Sequence, residues 1–169
     1  NAGDLLQLVN QLLDFRKMEM NGERLNLTSG NLNEFIQYTT MKFMPLAEQK
    51  NIRLAFEDKT EGLFMYFDKD KVGKILTNLL SNAFKFTKAG GSVCVSLEKC
   101  ILDSRRCAHI IVEDTGCGIP KEDQAHVFER FYRTEQDSSL HQVWSGIGLN
   151  MVYEYIKLHE GKISLESEE

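Results

Sequence analysis

The sequence lacks long apolar runs, and that absence excludes a membrane-spanning segment within it. No run approaches the roughly 20 residues that cross a bilayer, and the first residues lack the pattern of a signal peptide. Internal repeats and low-complexity tracts are also absent. At 169 residues the chain can bury one good core plus an appendage. We therefore expect a cytoplasmic module, with any membrane spans of a longer parent lying outside these residues.

A basic excess and paired cysteine motifs are missing as well. Twenty basic against 25 acidic residues give a net charge of −5, which argues against a nucleic-acid binder. Cys94, Cys100, Cys107 and Cys117 contain no Cys-x-x-Cys spacing, so we expect free thiols in a reducing compartment. Cys117 lies in a glycine turn, where it is either an exposed reactive thiol or, more simply, a small filler.

Residues 78–87 carry the most informative pattern in the chain. The apolar residues from Val72 to Ala83, which overlap this stretch, repeat at the spacing of one buried helix face. Asn78, Asn82 and Lys85 are four and three residues apart, so they lie along a second face. Amide oxygens are hard ligands suited to Mg²⁺, and an ammonium suits phosphate. The alternative is an ordinary solvated face of a surface helix.

A glycine turn follows the apolar run 110–112, which is typical of a buried strand. Asp114 comes first, and Gly116 and Gly118 supply a backbone that a ligand can approach closely. A carboxylate in that position can accept a hydrogen bond from an exocyclic amine such as that of adenine. The pattern also fits a tight turn with no ligand.

Residues 145–149 form a second glycine turn, directly before a helical pattern that contains Met151 and Tyr155. Glycines before a helix leave its first N–H groups facing an anion. The turn lacks the Gly-Lys-Ser/Thr ending of a P-loop. It also lacks the full Gly-x-Gly-x-x-Gly pattern of a Rossmann site.

Taken together, the motifs resemble the ATP-binding domain of sensor histidine kinases, within the wider family that includes gyrase, MutL and Hsp90. Residues 78–87 resemble its N box, and residues 114–120 its first glycine box. Residues 128–133 resemble its F box, and residues 145–149 its second glycine box. The stretch 5–19, with its Leu-Leu-Asp-Phe-x-Lys pattern, resembles the second dimerisation helix of these kinases.

The resemblance implies a site for ATP and Mg²⁺ built from all four motifs. The residues implied in nucleotide binding are Asn78, Asn82, Lys85, Phe86, Asp114, Gly116, Gly118, Ile119, Arg133, Gly146, Gly148 and Leu149. Asn82 and Asn78 are implied as Mg²⁺ ligands, and Asn78 and Lys85 as the catalytic residues. Asp114 matches the carboxylate that binds the adenine amino group, and Phe86 matches a ring that packs on adenine.

The same resemblance implies a reaction. Gyrase-type relatives carry a water-activating Glu at the position of Asn78, and an amide cannot act as a general base. We therefore expect a protein-histidine kinase that transfers the γ-phosphoryl group of ATP to a histidine, for relay to a response-regulator aspartate. None of the four histidines has the neighbours of the family's acceptor box, so the acceptor is expected outside these residues.

Two other functions stay open at this stage. One is an ATP-hydrolysing conformational machine of the gyrase or Hsp90 type, which Asn78 argues against. The other is a degenerate, non-catalytic module, supported only by Asn150, where the family commonly has Gly or Ala. The Asn150 side chain would either crowd the phosphates or point away along the helix.

The resemblance also implies partners. We expect residues 1–22 to be the end of a dimerisation and phosphoacceptor domain, and residues 23–169 to be the catalytic domain, with its final strand beyond residue 169. The apolar seam of the first helix predicts a homodimer through a helical bundle, where the catalytic domain meets its own phosphoacceptor domain. A response-regulator receiver domain is the second expected partner. No nucleic-acid or membrane contact is expected, and the parent is expected to be a membrane-anchored sensor.

The expected fold class is α+β, a two-layer sandwich of the Bergerat type with a mixed, mostly antiparallel sheet and helices on one face. Helices are predicted at 1–20 and 32–50, and Pro45 is expected to bend the second or to open its last turns. Residues 100–107 are interpreted as a polar loop, and residues 134–143 as a mobile ATP lid. The predicted strands are 24–27, 53–57, 63–67, 92–99, 108–113 and 161–166.

Overall fold

The computed structural model describes residues 2–22, 24–132 and 146–168. They form two compact units, of which one is the continuous stretch Asn26–Gly118 and the other combines Asn1–Leu25 with Ile119–Glu169. We call them the central unit and the terminal unit. None of the helices described is long and apolar enough to cross a membrane.

Helices and strands alternate along the chain. In order they are α1 (Ala2–Asn21), β1 (Thr28–Asn31), α2 (Leu32–Met41), α3 (Met44–Lys50), β2 (Arg53–Asp58), β3 (Phe64–Phe67), α4 (Lys69–Phe86), β4 (Ser92–Leu102), β5 (Arg105–Asp114), α5 (Lys121–Gln124) and α6 (Gly148–Leu158). Elements β1 to β5 and α2 to α4 belong to the central unit, and α1, α5 and α6 to the terminal unit.

The central unit contains two small sheets and one core. Strands β1 and β3 pair antiparallel, while β4 lies between β2, its parallel neighbour, and β5, its antiparallel neighbour. Helices α2 and α4 cover the core, in which Ile36, Leu76, Leu80, Phe84 and Val95 are completely buried. The predicted α+β class with helices packed on a mixed sheet is confirmed, although the strands fall into two sheets.

Helix α4 is anchored at its first turn by Asp68. The Asp68 carboxylate accepts hydrogen bonds from the Lys71 N–H at 3.0 Å and from the Asn26 N–H at 2.8 Å. The Lys71 ammonium lies 3.2 Å from the same carboxylate, and both residues are buried. A capping carboxylate satisfies helix N–H groups that have no partner within the helix. The anchor therefore fixes where the polar face of α4 begins.

Two predicted boundaries are wrong. The first strand is Thr28–Asn31 rather than 24–27, because the Asn26 N–H is bound to Asp68 and Thr28 is the first residue paired with β3. The predicted helix 32–50 is two helices, α2 and α3, with Pro45 in the first turn of α3. Proline is tolerated there because first-turn N–H groups need no partner within the helix.

The predicted loop 100–107 is also wrong. Strand β4 continues to Leu102 and β5 begins at Arg105, so a two-residue turn joins them. Asp103 and Ser104 have φ of 49° and 64°, the left-handed conformation that tight hairpin turns require. The longer hairpin places Cys100 opposite Cys107, and the two form a disulfide. The prediction of free thiols therefore fails for this pair and holds for Cys94 and Cys117.

The segment 161–166 does not form the predicted strand. Side chains from Lys162 to Glu168 do alternate between exposed and half-buried, the pattern that suggested a strand. Its backbone, however, joins no sheet among the residues described. Side-chain alternation reports which face is buried, whereas a strand also needs a hydrogen-bonded neighbour.

Candidate functional site

The polar face of α4 carries the predicted metal and phosphate ligands. Asn78, Asn82 and Lys85 are all half-buried, next to the fully buried apolar face of the same helix. The Asn78 amide nitrogen donates to the Lys74 carbonyl at 2.9 Å. That bond orients the carboxamide and assigns its oxygen as the acceptor that could hold a cation.

Lys85 and Phe86 are the last two residues of α4, and their side chains are in contact. The Lys85 ammonium lies 4.2 Å from the centre of the Phe86 ring, within the range of a cation–π interaction. The ring thereby keeps the positive charge at the C-terminal end of the helix. Lys50 contributes a second cation there, because its ammonium donates to the Phe84 carbonyl at 2.9 Å.

The turn after β5 presents the predicted adenine ligand. The Asp114 carboxylate is exposed and accepts a hydrogen bond from the Gly116 N–H at 2.8 Å. Thr115 and Ser92 form two hydrogen bonds. The Thr115 N–H donates to the Ser92 carbonyl at 3.0 Å, and the Thr115 hydroxyl accepts from the Ser92 N–H at 2.9 Å. The turn is therefore tied to the start of β4 while the carboxylate stays accessible.

Gly116 brings the two central-unit motifs together. A methyl group on its Cα would lie 2.6 Å from the Asp114 Oδ1 atom and 2.9 Å from the Phe86 carbonyl oxygen. Only glycine can therefore let the turn approach the end of α4. Gly118, with φ of 73°, supplies the left-handed conformation that ends the turn. The predicted partners Phe86 and Asp114 are thus neighbours.

These residues fit a magnesium nucleotide by their chemistry. Two amide oxygens and one ammonium on a single helix face match a cation bound to phosphates. A carboxylate beside a turn that contains two glycines matches an amino group on a flat ring. The close approach at Gly116 leaves no room for a side chain there, because the Asp114 carboxylate and the Phe86 backbone fill that space.

The terminal unit holds the second glycine turn and the F box. Gly146 has φ of 63°, and its carbonyl accepts a hydrogen bond from the Phe131 N–H at 3.0 Å. A methyl group on Gly146 would lie 2.8 Å from the Phe131 backbone. Gly148 is the first residue of α6, Ile147 is buried and Leu149 is half-buried. Ile119 is also half-buried, and its N–H donates to the Ser167 hydroxyl at 2.9 Å.

Asn150 has a structural partner that the sequence did not indicate. Its side chain is 5% exposed, and its amide nitrogen donates to the Phe128 carbonyl at 3.0 Å. The residue therefore lies on the buried side of α6 and binds the backbone of the F box. The side chain is therefore held by the F-box backbone, which gives it a packing role.

Asn150→Ala is expected to lower the free energy of unfolding by about 1 kcal/mol, the typical net worth of one hydrogen bond. Nucleotide affinity should change less than twofold, because the side chain is bound to the F-box backbone. Chemical denaturation and calorimetric titration with an ATP analogue measure the two quantities. Lys157→Ala, an exposed position on the same helix, is the control. Wild-type stability combined with a large loss of affinity would contradict the structural role.

Three predicted parts of the site lie outside the residues described. They are Arg133 and the segment 134–143, together with Ser145 of the second glycine turn. Their roles stay predictions. The roles assigned to the described residues likewise stay predictions, although Phe86 and Asp114 are shown to be adjacent.

A family model now supplies an independent comparison. The model of the histidine kinase-, DNA gyrase B-, and HSP90-like ATPases matches residues 67–169. The chain belongs to this ATPase family. The matched stretch contains every residue predicted for the site, from Asn78 to Leu149.

Within the ATPase family, the similar proteins are histidine kinases. Hybrid signal transduction histidine kinase D of Dictyostelium discoideum is 36% identical over 168 residues, covering 99% of this chain and 11% of that protein. The crystal structure of full-length ShkA in complex with AMPPNP is 28% identical, with a TM-score of 0.78, covering 93% of this chain and 32% of that one. The resemblance to the ATP-binding domain of sensor histidine kinases is therefore confirmed.

A third comparison shows the fold alone. ThkA, in a crystal structure with the response regulator protein TrrA, is 23% identical with a TM-score of 0.73, covering 95% of this chain and 43% of that one. This chain spans between 11% and 16% of the lengths of the first curated relatives that it matches. It corresponds to one part of those longer kinases.

Proposed function

We propose that this chain binds Mg²⁺–ATP and serves as the catalytic domain of a protein-histidine kinase. The proposed reaction transfers the γ-phosphoryl group to a histidine outside these residues, for relay to an aspartate of a response regulator. The observation that carries the proposal is the close approach at Gly116, which sets the Asp114 carboxylate beside the end of the Asn-bearing helix.

Each side chain of the site has a proposed task. The amide oxygens of Asn78 and Asn82 would hold Mg²⁺, which supplies neutralisation of phosphate charge when bound. The Lys85 ammonium would act as a point charge on the phosphates. Asp114 would accept a hydrogen bond from the adenine amino group, and the Phe86 ring would pack against the base. Glycines of both turns would let the backbone approach the nucleotide.

Positioning and charge neutralisation carry the proposed catalysis. The residue at position 78 is an amide, which cannot take a proton from water. The proposed site therefore does not activate a water molecule as the nucleophile. The nitrogen of an imidazole, which can attack the phosphoryl group without a general base, suits this site better. This distinction favours phosphoryl transfer over ATP hydrolysis.

The proposed protein partners are inferred from the exposed apolar residues of α1 and from the family. We propose that residues 1–22 belong to a dimerisation domain that forms a helical bundle with a second copy. Helix α1 leaves Leu6, Val9, Leu12 and Leu13 between 42% and 62% exposed, an apolar stripe of the kind that bundles bury. Phe15, in contrast, is buried and lies 6.1 Å from the Phe131 ring. A receiver domain is the proposed acceptor in the relay, and a cytoplasmic position in a membrane-anchored parent is the proposed location.

Asp114→Asn tests the adenine assignment. The amide oxygen still accepts from the Gly116 N–H, so the turn should keep its shape while the negative acceptor is lost. We expect affinity for a non-hydrolysable ATP analogue to fall by about 1–3 kcal/mol, or roughly 5- to 150-fold. Isothermal titration in the presence of Mg²⁺ measures it.

Glu113→Gln is the matched control, because Glu113 is an exposed carboxylate on the opposite face of β5. It should bind the analogue as the wild type does. Equal affinities of the Asp114→Asn variant and the wild type would refute the adenine assignment. Absence of any Mg²⁺-dependent binding by the wild type would refute the proposed function itself.

A further inference from the structure

The open face of the β4–β5 hairpin carries four side chains with metal-binding chemistry in two adjacent rows. Glu98 of β4 lies opposite His109 of β5, and Cys100 lies opposite Cys107. Alternate residues of a strand share a face, so Glu98, Cys100, Cys107 and His109 all project from the same side. The core lies against the other side of the sheet, where Leu97 is buried.

In the structure the two cysteines are joined. Cys100 and Cys107 form a disulfide with their Cα atoms 5.1 Å apart. No group of three or more His, Cys, Asp or Glu side chains in the described part of the chain is arranged to hold a metal ion. The disulfide therefore occupies the atoms that would otherwise be the strongest ligands of this face.

We propose that reduction of the Cys100–Cys107 disulfide converts this face into a Zn²⁺ site. The two thiolates and the His109 imidazole are the proposed principal ligands, with the Glu98 carboxylate as the fourth. Two sulfurs, one nitrogen and one oxygen form a set that Zn²⁺ accepts in tetrahedral geometry. Soft thiolates also disfavour Mg²⁺, which the proposed nucleotide site would take.

The spacing of the hairpin supports the ligand set. Cys107 and His109 are two residues apart on one strand, or about 7 Å between Cα atoms. Cys100 faces Cys107 at 5.1 Å between Cα atoms. Three ligands at these separations can bracket one ion above the sheet. Cys94 is six residues before Cys100 on the same strand, or about 20 Å away, too far to contribute.

The proposed ligands are accessible, and the ion pair that Glu98 now makes can be displaced. Cys100 and Cys107 are half-buried and His109 is exposed, so a thiol reagent and a metal ion can reach them. Glu98 is 2.7 Å from the Lys59 ammonium, and Lys59 is half-exposed at 52%. Exposed ion pairs of this kind contribute little stability, so Glu98 can exchange Lys59 for the metal.

The reduction step balances as a thiol–disulfide exchange. Two molecules of a low-molecular-weight thiol such as glutathione reduce the Cys100–Cys107 bond, giving two cysteine thiols and one oxidised disulfide of the reagent. Binding of Zn²⁺ then displaces the two thiol protons to solvent. Disulfide and metal exclude each other, because both need the same two sulfur atoms.

Metal titration of the reduced protein tests the proposal. Protein reduced with a phosphine and kept anaerobic is titrated with Co²⁺, then with Zn²⁺ against a chromophoric chelator. We expect one equivalent of Co²⁺ with a sulfur-to-cobalt charge-transfer band and visible bands of tetrahedral intensity, all displaced by Zn²⁺. Protein with the disulfide closed should bind neither ion.

Variants assign the ligands. Cys100→Ser and Cys107→Ser should lose the charge-transfer band. His109→Ala should weaken Zn²⁺ binding by at least about 10-fold, because even residues that only support a ligand cost that much. The matched control replaces the two cysteines outside the disulfide, Cys94→Ser with Cys117→Ser, and should bind Zn²⁺ as the wild type does. Circular dichroism checks that each variant is folded, and alkylation of the reduced wild type removes the sulfurs without a substitution.

Several results would overturn the proposal. They are stoichiometric binding that survives alkylation or Cys100→Ser, binding that is lost in the Cys94 and Cys117 control, unchanged affinity in His109→Ala, or no binding by the reduced wild type. None of these bears on the nucleotide site, whose affinity for an ATP analogue is measured separately. A failure here therefore leaves the proposed kinase function untouched.

Discussion

Gly116→Ala is expected to lower the affinity for Mg²⁺–ATP analogues by about 100-fold, the equivalent of about 2.7 kcal/mol. The added methyl group would lie 2.6 Å from the Asp114 Oδ1 atom and 2.9 Å from the Phe86 carbonyl. The carboxylate can rotate away, but the Phe86 carbonyl belongs to the helix backbone and cannot. Overpacking of this kind typically costs 1–3 kcal/mol, and here it also displaces the proposed adenine acceptor.

Calorimetric titration and thermal unfolding measure the two consequences of Gly116→Ala separately. Gly73→Ala is the matched control, because its methyl group would meet only the Phe35 ring, at an ordinary 3.5 Å. That variant should bind normally and be slightly more stable, since alanine favours a helix over glycine by about 1 kcal/mol. Wild-type affinity in Gly116→Ala would mean that the turn does not contact the nucleotide.

Asp68→Ala is expected to lower the free energy of unfolding by about 3–5 kcal/mol, the usual cost of removing one partner of a buried ion pair. The Lys71 ammonium would remain buried, and the N–H groups of Asn26 and Lys71 would lose their acceptor. Asp70→Ala, two residues along, is the control. Asp70 is 69% exposed in its pair with Lys74, and exposed pairs contribute about 0–1 kcal/mol.

The same carboxylate should make stability depend on pH. Burial raises the pKa of Asp68, but the hydrogen bonds from Asn26 and Lys71 outweigh that effect and hold the pKa below its usual value of 3.8. A carboxylate whose pKa is lower in the folded state stabilises the fold above its unfolded pKa. This contribution is lost as the pH falls through the folded pKa.

Urea unfolding between pH 7 and pH 2.5 checks both expectations for Asp68. Wild-type stability should decline below about pH 4. Asp68→Asn should be less stable at neutral pH and should decline less across the acid range, because it has no proton to gain at this position. A parallel decline in the two proteins would assign the acid sensitivity to other carboxylates.

The sequence predicted the parts of the site that depend on local pattern. Both faces of α4 follow from the 3.6-residue period, since the apolar repeat identifies the buried side and leaves Asn78, Asn82 and Lys85 on the other. The turn at Asp114 follows from an apolar strand that runs into glycines. These features involve residues close in the chain, so a window of a few residues contains the cause.

Contacts between distant residues were not predictable in this way. The anchor of α4 depends on Asn26, 42 residues before Asp68, and no periodicity signals such a contact. The tight hairpin was missed because Asp-Ser is not the Asn-Gly or Asp-Gly pair that usually marks two left-handed residues. The disulfide was missed with it, because pairing Cys100 with Cys107 requires the correct turn.

The division of the chain into two units has a consequence for synthesis on the ribosome. The central unit, Asn26–Gly118, is one uninterrupted stretch, whereas the terminal unit needs Asn1–Leu25 and Ile119–Glu169 together. Domains fold as their residues emerge, at about 5–20 residues per second. Helix α1 is therefore made before the central unit, yet Phe15 can pack against Phe131 only after Phe131 has left the ribosome tunnel. A helix translated before the central unit is thus among the last of these elements to reach its final neighbours.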